Sequence, residues 1–140
     1  MTAGVAERNK ALARRWFEEG WNQGNVAIAP QIFAADFVLG GRRVGPSGPQ
    51  LSVRRIRSVF SSLQVDLDLQ VAEGDLVVTR YTARGRQAAE YRGIPPTGTW
   101  VRVSGVQVWR VADGLAVEDW NTFDEWELVR QLGGPLPQPV

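Results

Sequence analysis

The spacing of hydrophobic positions changes once along this chain, from helical intervals in the first half to alternation in the second. Over Val5–Gly20 apolar residues recur at i and i+4 with charged residues opposite, which predicts an amphipathic helix. A second, short helix is predicted from Asn25 to Phe33, where Pro30 removes one backbone donor. A third is predicted from Leu51 to Leu63, after a turn-rich segment that ends with Ser47 or Gly48 as a cap and Pro49 at a helix start.

Period-two alternation predicts the strands. A brief strand is expected at residues 36–39, a hairpin of residues 65–71 and 76–85, a long strand over 100–111 and a last strand over 115–123. Between the last two strands, Ala112-Asp113-Gly114 is typical of a tight hairpin turn.

Helices followed by strands predict an α+β fold: a cone-shaped, curved antiparallel or mixed sheet wrapped around three N-terminal helices. We expect one domain over residues 1–140, with residues 134–140 as a loose C-terminal tail.

Composition narrows the possible chemistry. The chain has no histidine and no cysteine, so proton transfer would fall to a carboxylate, a tyrosine or water, and thiolate chemistry is excluded. No metal site is expected, because the chain offers no His or Cys ligand and its acidic residues form no calcium-loop pattern. Net charge is +1 and the fifteen arginines are scattered, which argues against a nucleic-acid partner. No apolar run is long enough for a signal peptide or membrane span, so a cytoplasmic protein without a membrane partner is expected.

Six strings spread along the chain carry a family resemblance. They are NKALARRWFEEGWNQGN (9–25), ADFV (35–38), AEGDLVV (72–78), GIPPTG (93–98), VWRVADG (108–114) and EDWNTFDEWELVRQLG (118–133). In this order and spacing they resemble the SnoaL-like polyketide cyclases and predicted ester cyclases of the nuclear-transport-factor-two-like superfamily. The resemblance implies a cone-shaped barrel around a mostly apolar pocket, usually in a homodimer. Family members close rings on aromatic polyketide esters without a cofactor, and close relatives carry out hydroxylation, epoxide opening or isomerisation, so the fold alone does not choose the reaction.

The resemblance also locates a site. The family's acid/base aspartate corresponds to Asn121 here, the histidine two residues before it to Asp119, and two further histidines to Gln87 and Gln107. Asn and Gln can polarise a carbonyl but take no proton at neutral pH, so the usual proton-transfer groups are all exchanged.

Asp119 is therefore the first candidate for acid/base work, because an apolar cavity would raise its pKa toward neutrality. The alternative is a structural carboxylate that is salt-bridged or exposed, and Asp124 and Asp36 are competing candidates. Asn121 and Gln107 would donate to a developing oxyanion, or else satisfy each other or buried backbone groups.

Further side chains are candidates for contact with a substrate. On the last strand the resemblance favours the face of Val117, Asp119, Asn121 and Phe123 as the inner one. Tyr81 could donate to a carbonyl, and aromatic residues could stack on a flat ligand or simply form core. The full set of candidate contacts is Tyr81, Gln87, Trp16, Phe17, Phe37, Phe60, Trp109 and Phe123.

The outward face of the sheet carries an apolar stripe, which predicts a homodimer interface. It consists of Val106, Val108 and Trp120, with Arg102 and Arg110 at its margins.

The leading functional hypothesis is a cofactor-independent tailoring enzyme that closes a ring in, or isomerises, a polyketide-like hydrophobic small molecule. In it Asp119 moves the proton while Asn121, Gln107 and Tyr81 hold the developing oxyanion. Two alternatives remain: a non-catalytic binding protein that has kept the cavity, and a hydroxylase-like relative that uses dioxygen.

Overall fold

A computed structural model of the protein describes residues 4–135, and over this range helices pack on one face of a single sheet. The helices are α1 (Val5–Arg15), α2 (Ala29–Ile32), α3 (Ser47–Val59) and α4 (Glu125–Leu132), with a π-helical turn at Trp16–Asn22 and a 3₁₀ turn at Val26–Ile28. The strands are β1 (Phe33–Leu39), β2 (Arg42–Arg43), β3 (Phe60–Glu73), β4 (Leu76–Gln87), β5 (Trp100–Ala112) and β6 (Leu115–Phe123). Most of the predicted loose tail lies outside the described residues.

The six strands form one curved, unclosed mixed sheet in the order β2-β1-β6-β5-β4-β3. Strand β1 runs parallel to β6, and every other neighbouring pair is antiparallel. The predicted α+β class with a curved mixed sheet is thus confirmed. Because β6 and β5 have neighbours on both sides, side chains on their inner faces have fixed positions.

The main hydrophobic core joins the helices to the inner face of the sheet. Its helical part includes Trp16, Ile32 and Val53, and its sheet part includes Phe37 and Trp109, all almost fully buried. Burying aromatic and aliphatic surface of this size is the main stabilising contribution in a domain of this length.

None of the helices within residues 4–135 is long and apolar enough to cross a membrane.

Two predicted helix boundaries were wrong, and in both cases a strand begins where a helix was expected. The helix predicted over Asn25–Phe33 is a 3₁₀ turn followed by the four-residue α2, because Phe33 is extended and starts β1. The helix predicted over Leu51–Leu63 begins earlier, at Ser47, and ends at Val59, since Phe60 is extended with φ −115° and starts β3. The apolar spacing around Phe60 satisfies both periods, so periodicity alone does not place this boundary.

Helix α4 and the short strand β2 were not predicted. The start of α4 is marked by Asp124, whose carboxylate accepts from the backbone N–H of Glu127 at 3.1 Å. Its end is marked by Gly133, which adopts the left-handed conformation with φ 77°. These are ordinary start and stop signals that could have identified the helix.

The first predicted helix, Val5–Gly20, is α-helical to Arg15 and continues as the π-helical turn to Asn22. The side-chain amide of Asn22 ties this turn to β3 by pairing with both backbone groups of Val65, at 2.9 and 2.6 Å. The guanidinium of Arg57 donates to the carbonyls of Trp21 and Asn22. The turn therefore holds its aromatic residues against the inner face of the sheet.

The loop between β4 and β5, residues 88–99, is organised by Gln87. Its amide nitrogen donates to the carbonyls of Ile94 and Ala89, at 2.9 and 3.2 Å, and its amide oxygen accepts from the hydroxyl and backbone N–H of Thr97. Gln87 is almost completely buried, so these partners replace the water that its amide has lost.

Replacing Gln87 by Leu should therefore destabilise the protein by about 2–3 kcal/mol, because several buried loop groups lose their partner. Chemical denaturation measures the loss. Gln64→Leu is the matched control: Gln64 is exposed and its side chain bonds to the exposed Asp66, so a loss below about 0.5 kcal/mol is expected. Equal losses in the two variants would contradict this assignment.

Candidate functional site

Three rows of side chains cross the inner face of β4, β5 and β6 in register. The first row is Val77, Trp109 and Asp119; the second is Thr79, Gln107 and Asn121; the third is Tyr81, Gly105 and Phe123. Directly opposite Cβ atoms in an antiparallel pair are about 4.5–5.5 Å apart. The register therefore brings together the predicted polar residues Asp119, Asn121, Gln107 and Tyr81.

A β-bulge corrects the predicted alternation on β6. Val111 pairs with Ala116 and Arg110 pairs with Glu118, which leaves Val117 as the additional residue of the bulge. Ala116, rather than Val117, is fully buried on the inner face. From Asp119 onward the predicted inward orientation agrees with the structure.

Asp119 is a buried carboxyl group without a partner. Its side chain belongs to a residue only 7% exposed, and Oδ1 has no hydrogen-bond partner among residues 4–135. Within the same range it takes part in no ion pair, so the salt-bridged alternative does not apply. Burial raises the pKa of Asp119 to about 7, and the nearby indole N–H of Trp109, which does not reach hydrogen-bond geometry, lowers it only partly.

The competing carboxylates lie elsewhere. Asp124 caps α4, and Asp36 is exposed on β1. Neither shares the inner face with Asp119.

Two amides and a phenol accompany Asp119. Gln107 is buried, and its amide has no hydrogen-bond partner within the described part of the chain. Asn121 is exposed, and its Oδ1 accepts from the Tyr81 hydroxyl at 2.9 Å. Burial raises the pKa of Tyr81 to about 12; the bond to Asn121 lowers it and the charge of Asp119 raises it further, so Tyr81 keeps its proton.

The comparisons with known proteins agree with this fold. The profile of the SnoaL-like polyketide cyclase family matches residues 11–132. The chain belongs to the SnoaL-like polyketide cyclase family. A search of the curated proteins found no match.

Solved structures of similar proteins extend over nearly the whole chain. TsrD from Streptomyces laurentii is 27% identical with a TM-score of 0.86, covering 96% of this chain and 100% of TsrD. IdmH from Streptomyces antibioticus, a candidate polyketide cyclase, is 26% identical with a TM-score of 0.80, covering 89% of this chain and 98% of IdmH. AclR from Streptomyces galilaeus, a candidate hydroxylase, is 26% identical with a TM-score of 0.80, covering 91% of this chain and 96% of AclR.

In this SnoaL-like protein the candidate aromatic contacts divide into separate groups. Trp16, Phe37 and Trp109 pack around Phe33, with ring centroids 4.6–5.2 Å from that of Phe33, and form core beside the first row. Phe17 packs on Tyr81 at 5.5 Å. The other two lie in a second cluster near α4, where Phe60 contacts Tyr91 at 5.8 Å and Phe123 is half-buried. Of the predicted aromatic contacts, Phe17, Trp109 and Phe123 adjoin the polar group.

Gln87, which matches a family histidine, is a correction to the predicted substrate contacts. Its amide is fully used by the loop 88–99, as described above, and it has no free donor or acceptor for a ligand. The sequence could not reveal this because the partners lie in a loop whose path depends on tertiary contacts.

Two surface cavities lie away from the polar group. One, of about 680 Å³, is lined by Val5, Asn9, Asp75, Val111, Asp113 and neighbouring residues; the other, of about 470 Å³, by Arg92, Ile94, Glu125, Trp126, Val129 and Pro135. Asp119 lines neither. Among residues 4–135 no group of three or more carboxylates could hold a metal ion.

The buried carboxyl predicts an unusual dependence of stability on pH. The pKa of Asp119 is raised from 3.8 to about 7, so its contribution to stability is full below about pH 4 and is lost as the pH rises to about 7. Asp119→Asn removes this loss. The variant should become more stable relative to the wild type by on the order of 2–4 kcal/mol between pH 4 and pH 8.

Denaturant unfolding at each pH measures this difference, and Asp36→Asn is the control because Asp36 is exposed on β1. A difference between wild type and Asp119→Asn that does not grow with pH would show that the carboxyl is solvated.

Proposed function

We propose that the protein is a cofactor-independent tailoring enzyme that closes a ring in, or isomerises, a polyketide-like small molecule through an enolate. The observation that carries the proposal is the buried carboxyl of Asp119, whose Oδ1 has no partner within residues 4–135 and whose pKa is about 7. Gln107 lies one row away on the same inner face, in register with Asn121. A general base works best when its pKa is near the working pH.

The chemistry needs one proton and no redox partner. The Asp119 carboxylate removes a proton from a carbon next to a carbonyl, and the electron pair moves onto the carbonyl oxygen as an enolate. N–H donors of Gln107 and Asn121 stabilise that oxygen as its charge develops.

In ring closure, the enolate carbon forms a bond to a second carbonyl carbon of the same molecule. The resulting alkoxide takes the proton back from the Asp119 carboxylic acid. In isomerisation the proton returns to a different carbon, and in both cases Asp119 ends ionised as it began.

The family relationship supports this assignment. The chain is similar to IdmH, a candidate polyketide cyclase, over 89% of its length. Asp119 lies on the same inner strand face as Asn121, the position that the resemblance gives to the family's acid/base, and two residues before it. In the proposed function the acid/base group is thus two residues away from that position, on the same face of the sheet.

A proton-exchange assay tests the proposal without knowledge of the substrate. The protein is incubated in D₂O with planar aromatic ketones, beginning with 1-tetralone, and incorporation of deuterium next to the carbonyl is followed by NMR. The exchange rate should rise about tenfold per pH unit below pH 7 and level off above it, because only ionised Asp119 accepts the proton.

Asp119→Asn should lower the exchange rate at least about 100-fold, which is the usual contribution of general acid–base catalysis. Asp36→Asn should leave it unchanged. Ketones that raise the melting temperature of the wild type but gain no deuterium would instead indicate a binding protein without catalysis.

A hydroxylase-like reaction is the second candidate, and the similarity to AclR, a candidate hydroxylase, favours it. In that case dioxygen would be a second substrate. Uptake of dioxygen that depends on both the ketone and Asp119 would distinguish it from ring closure.

We further propose that two copies of the chain pair through the convex face of the sheet. Val106 and Trp120 are 40% and 41% exposed on the adjacent strands β5 and β6, and the Arg110 guanidinium lies 5.8 Å from the Trp120 ring centroid. Exposed apolar side chains on two central strands are the kind of patch that a second copy covers.

Trp120→Glu is expected to convert a dimer into a monomer, because it places two charges in the covered patch. Sedimentation velocity measures the change. Leu51→Glu is the matched control, since Leu51 is also an exposed apolar residue but lies on α3. A wild-type protein that sediments as a monomer at micromolar concentration would contradict the proposal.

A further inference from the structure

The side chain of Tyr81 extends across the neighbouring strand to reach Asn121. Tyr81 on β4 is opposite Gly105 on β5, and its hydroxyl bonds to an amide on β6, the strand beyond. A Cβ atom on Gly105 would lie 2.3 Å from both Cζ and the hydroxyl oxygen of Tyr81. Only glycine at this position leaves room for the ring.

The ring of Tyr81 is also fixed from the helical side. Phe17 of the π-helical turn packs on it with ring centroids 5.5 Å apart, and Val65 belongs to the same buried cluster. The Asn22 amide bonds to both backbone groups of Val65 and so ties that turn to the strand. The phenol therefore has one well-defined direction, toward Asn121.

That direction determines what Asn121 can offer to a ligand. An asparagine amide has one acceptor oxygen and one NH₂ donor, and rotation by 180° exchanges them. Since the Tyr81 hydroxyl donates to Oδ1, the amide nitrogen is left over, and it has no partner among residues 4–135. Asn121 is exposed, so this donor is accessible. The pKa of the Tyr81 phenol is raised to about 12, so at neutral pH the hydroxyl keeps the proton that it donates to Oδ1.

We propose that Tyr81 is a positioning residue that fixes the Asn121 amide with its NH₂ group toward the ligand, so that this subsite selects an acceptor oxygen such as a ketone carbonyl. The proposal rests on the proposed function in taking the ligand to be a carbonyl compound. Beyond that function, it identifies Tyr81 as the residue that sets the selectivity and Gly105 as the position that leaves room for the Tyr81 ring.

Three variants separate positioning from packing. Tyr81→Phe removes the hydroxyl and keeps the ring on Phe17 and over Gly105. Gly105→Ala keeps the hydroxyl and displaces the ring from its place. Tyr91→Phe is the matched control, because the Tyr91 hydroxyl bonds to Glu125 near α4 and not to the polar group.

The first readout needs no ligand. The ¹H–¹⁵N nuclear Overhauser effect of the Asn121 side-chain amide should report an ordered group in the wild type and in Tyr91→Phe. It should report a mobile group in Tyr81→Phe and Gly105→Ala. An amide that stays equally ordered in Tyr81→Phe would overturn the proposal.

The second readout is the ratio of affinities for 1-tetralone and for tetralin, which has the same rings without the oxygen. Wild type and Tyr91→Phe should prefer 1-tetralone, and Tyr81→Phe should lose about 3- to 10-fold of that preference, the usual net value of one hydrogen bond. No preference in the wild type, or an unchanged ratio in Tyr81→Phe, would overturn the proposal. A merely structural tyrosine would weaken both ligands equally.

These measurements are independent of turnover. A protein that loses the preference in Tyr81→Phe but exchanges no deuterium supports the positioning role and refutes the enolate chemistry. Deuterium exchange that depends on Asp119, together with an unchanged ratio of affinities in Tyr81→Phe, supports the enolate chemistry and refutes the positioning role.

Discussion

The candidate site depends on one buried carboxyl group whose position on the inner face of the sheet is fixed by its strand. Asp119 lies on β6, which pairs with β5 on one side, where Trp109 is opposite, and with β1 on the other, where Leu39 is opposite. The Asp119 carbonyl accepts from the backbone N–H of Gly40 at 3.2 Å. With the backbone fixed on both sides, the side chain must point to the concave face. The same alternation puts the arginines of β4 and β5 on the convex face, so no cation accompanies it.

An uncompensated carboxyl lowers stability at neutral pH, and the surrounding packing offsets it. The aromatic residues around Phe33 and the paired backbones of six strands hold the position of Asp119 although ionisation there is unfavourable. Active sites commonly retain groups that would be replaced if stability alone were selected. In the proposed site the orphan Oδ1 of Asp119 is such a group, because it would be more stable in water or beside a partner.

Period-two alternation grouped the residues of each strand into two faces, since strand parity depends only on local spacing, and the family resemblance chose the face of Asp119 as the inner one. It failed at Val117, because a bulge changes parity and leaves no trace in the hydrophobic pattern. The end of α3 was misplaced because apolar residues around Phe60 fit either period. The role of Gln87 and the space at Gly105 could not be predicted, since both depend on contacts with residues remote in sequence or on another strand.

Because the chain has no histidine, the burial of Asp119 bears directly on how a proton could be transferred. A relay of two titratable groups can divide the work, one accepting the proton and the other returning it. In the proposed reaction the neighbouring amides take no proton, and Tyr81, with a pKa of about 12, keeps its own. Asp119 would therefore have to do both. That requires a conjugate acid strong enough to return the proton and a base strong enough to take it, which places the useful pKa near neutrality. Burial, only partly opposed by the indole N–H of Trp109, raises the pKa of Asp119 to about 7. In the proposed reaction, burial would therefore do what a second titratable group does elsewhere.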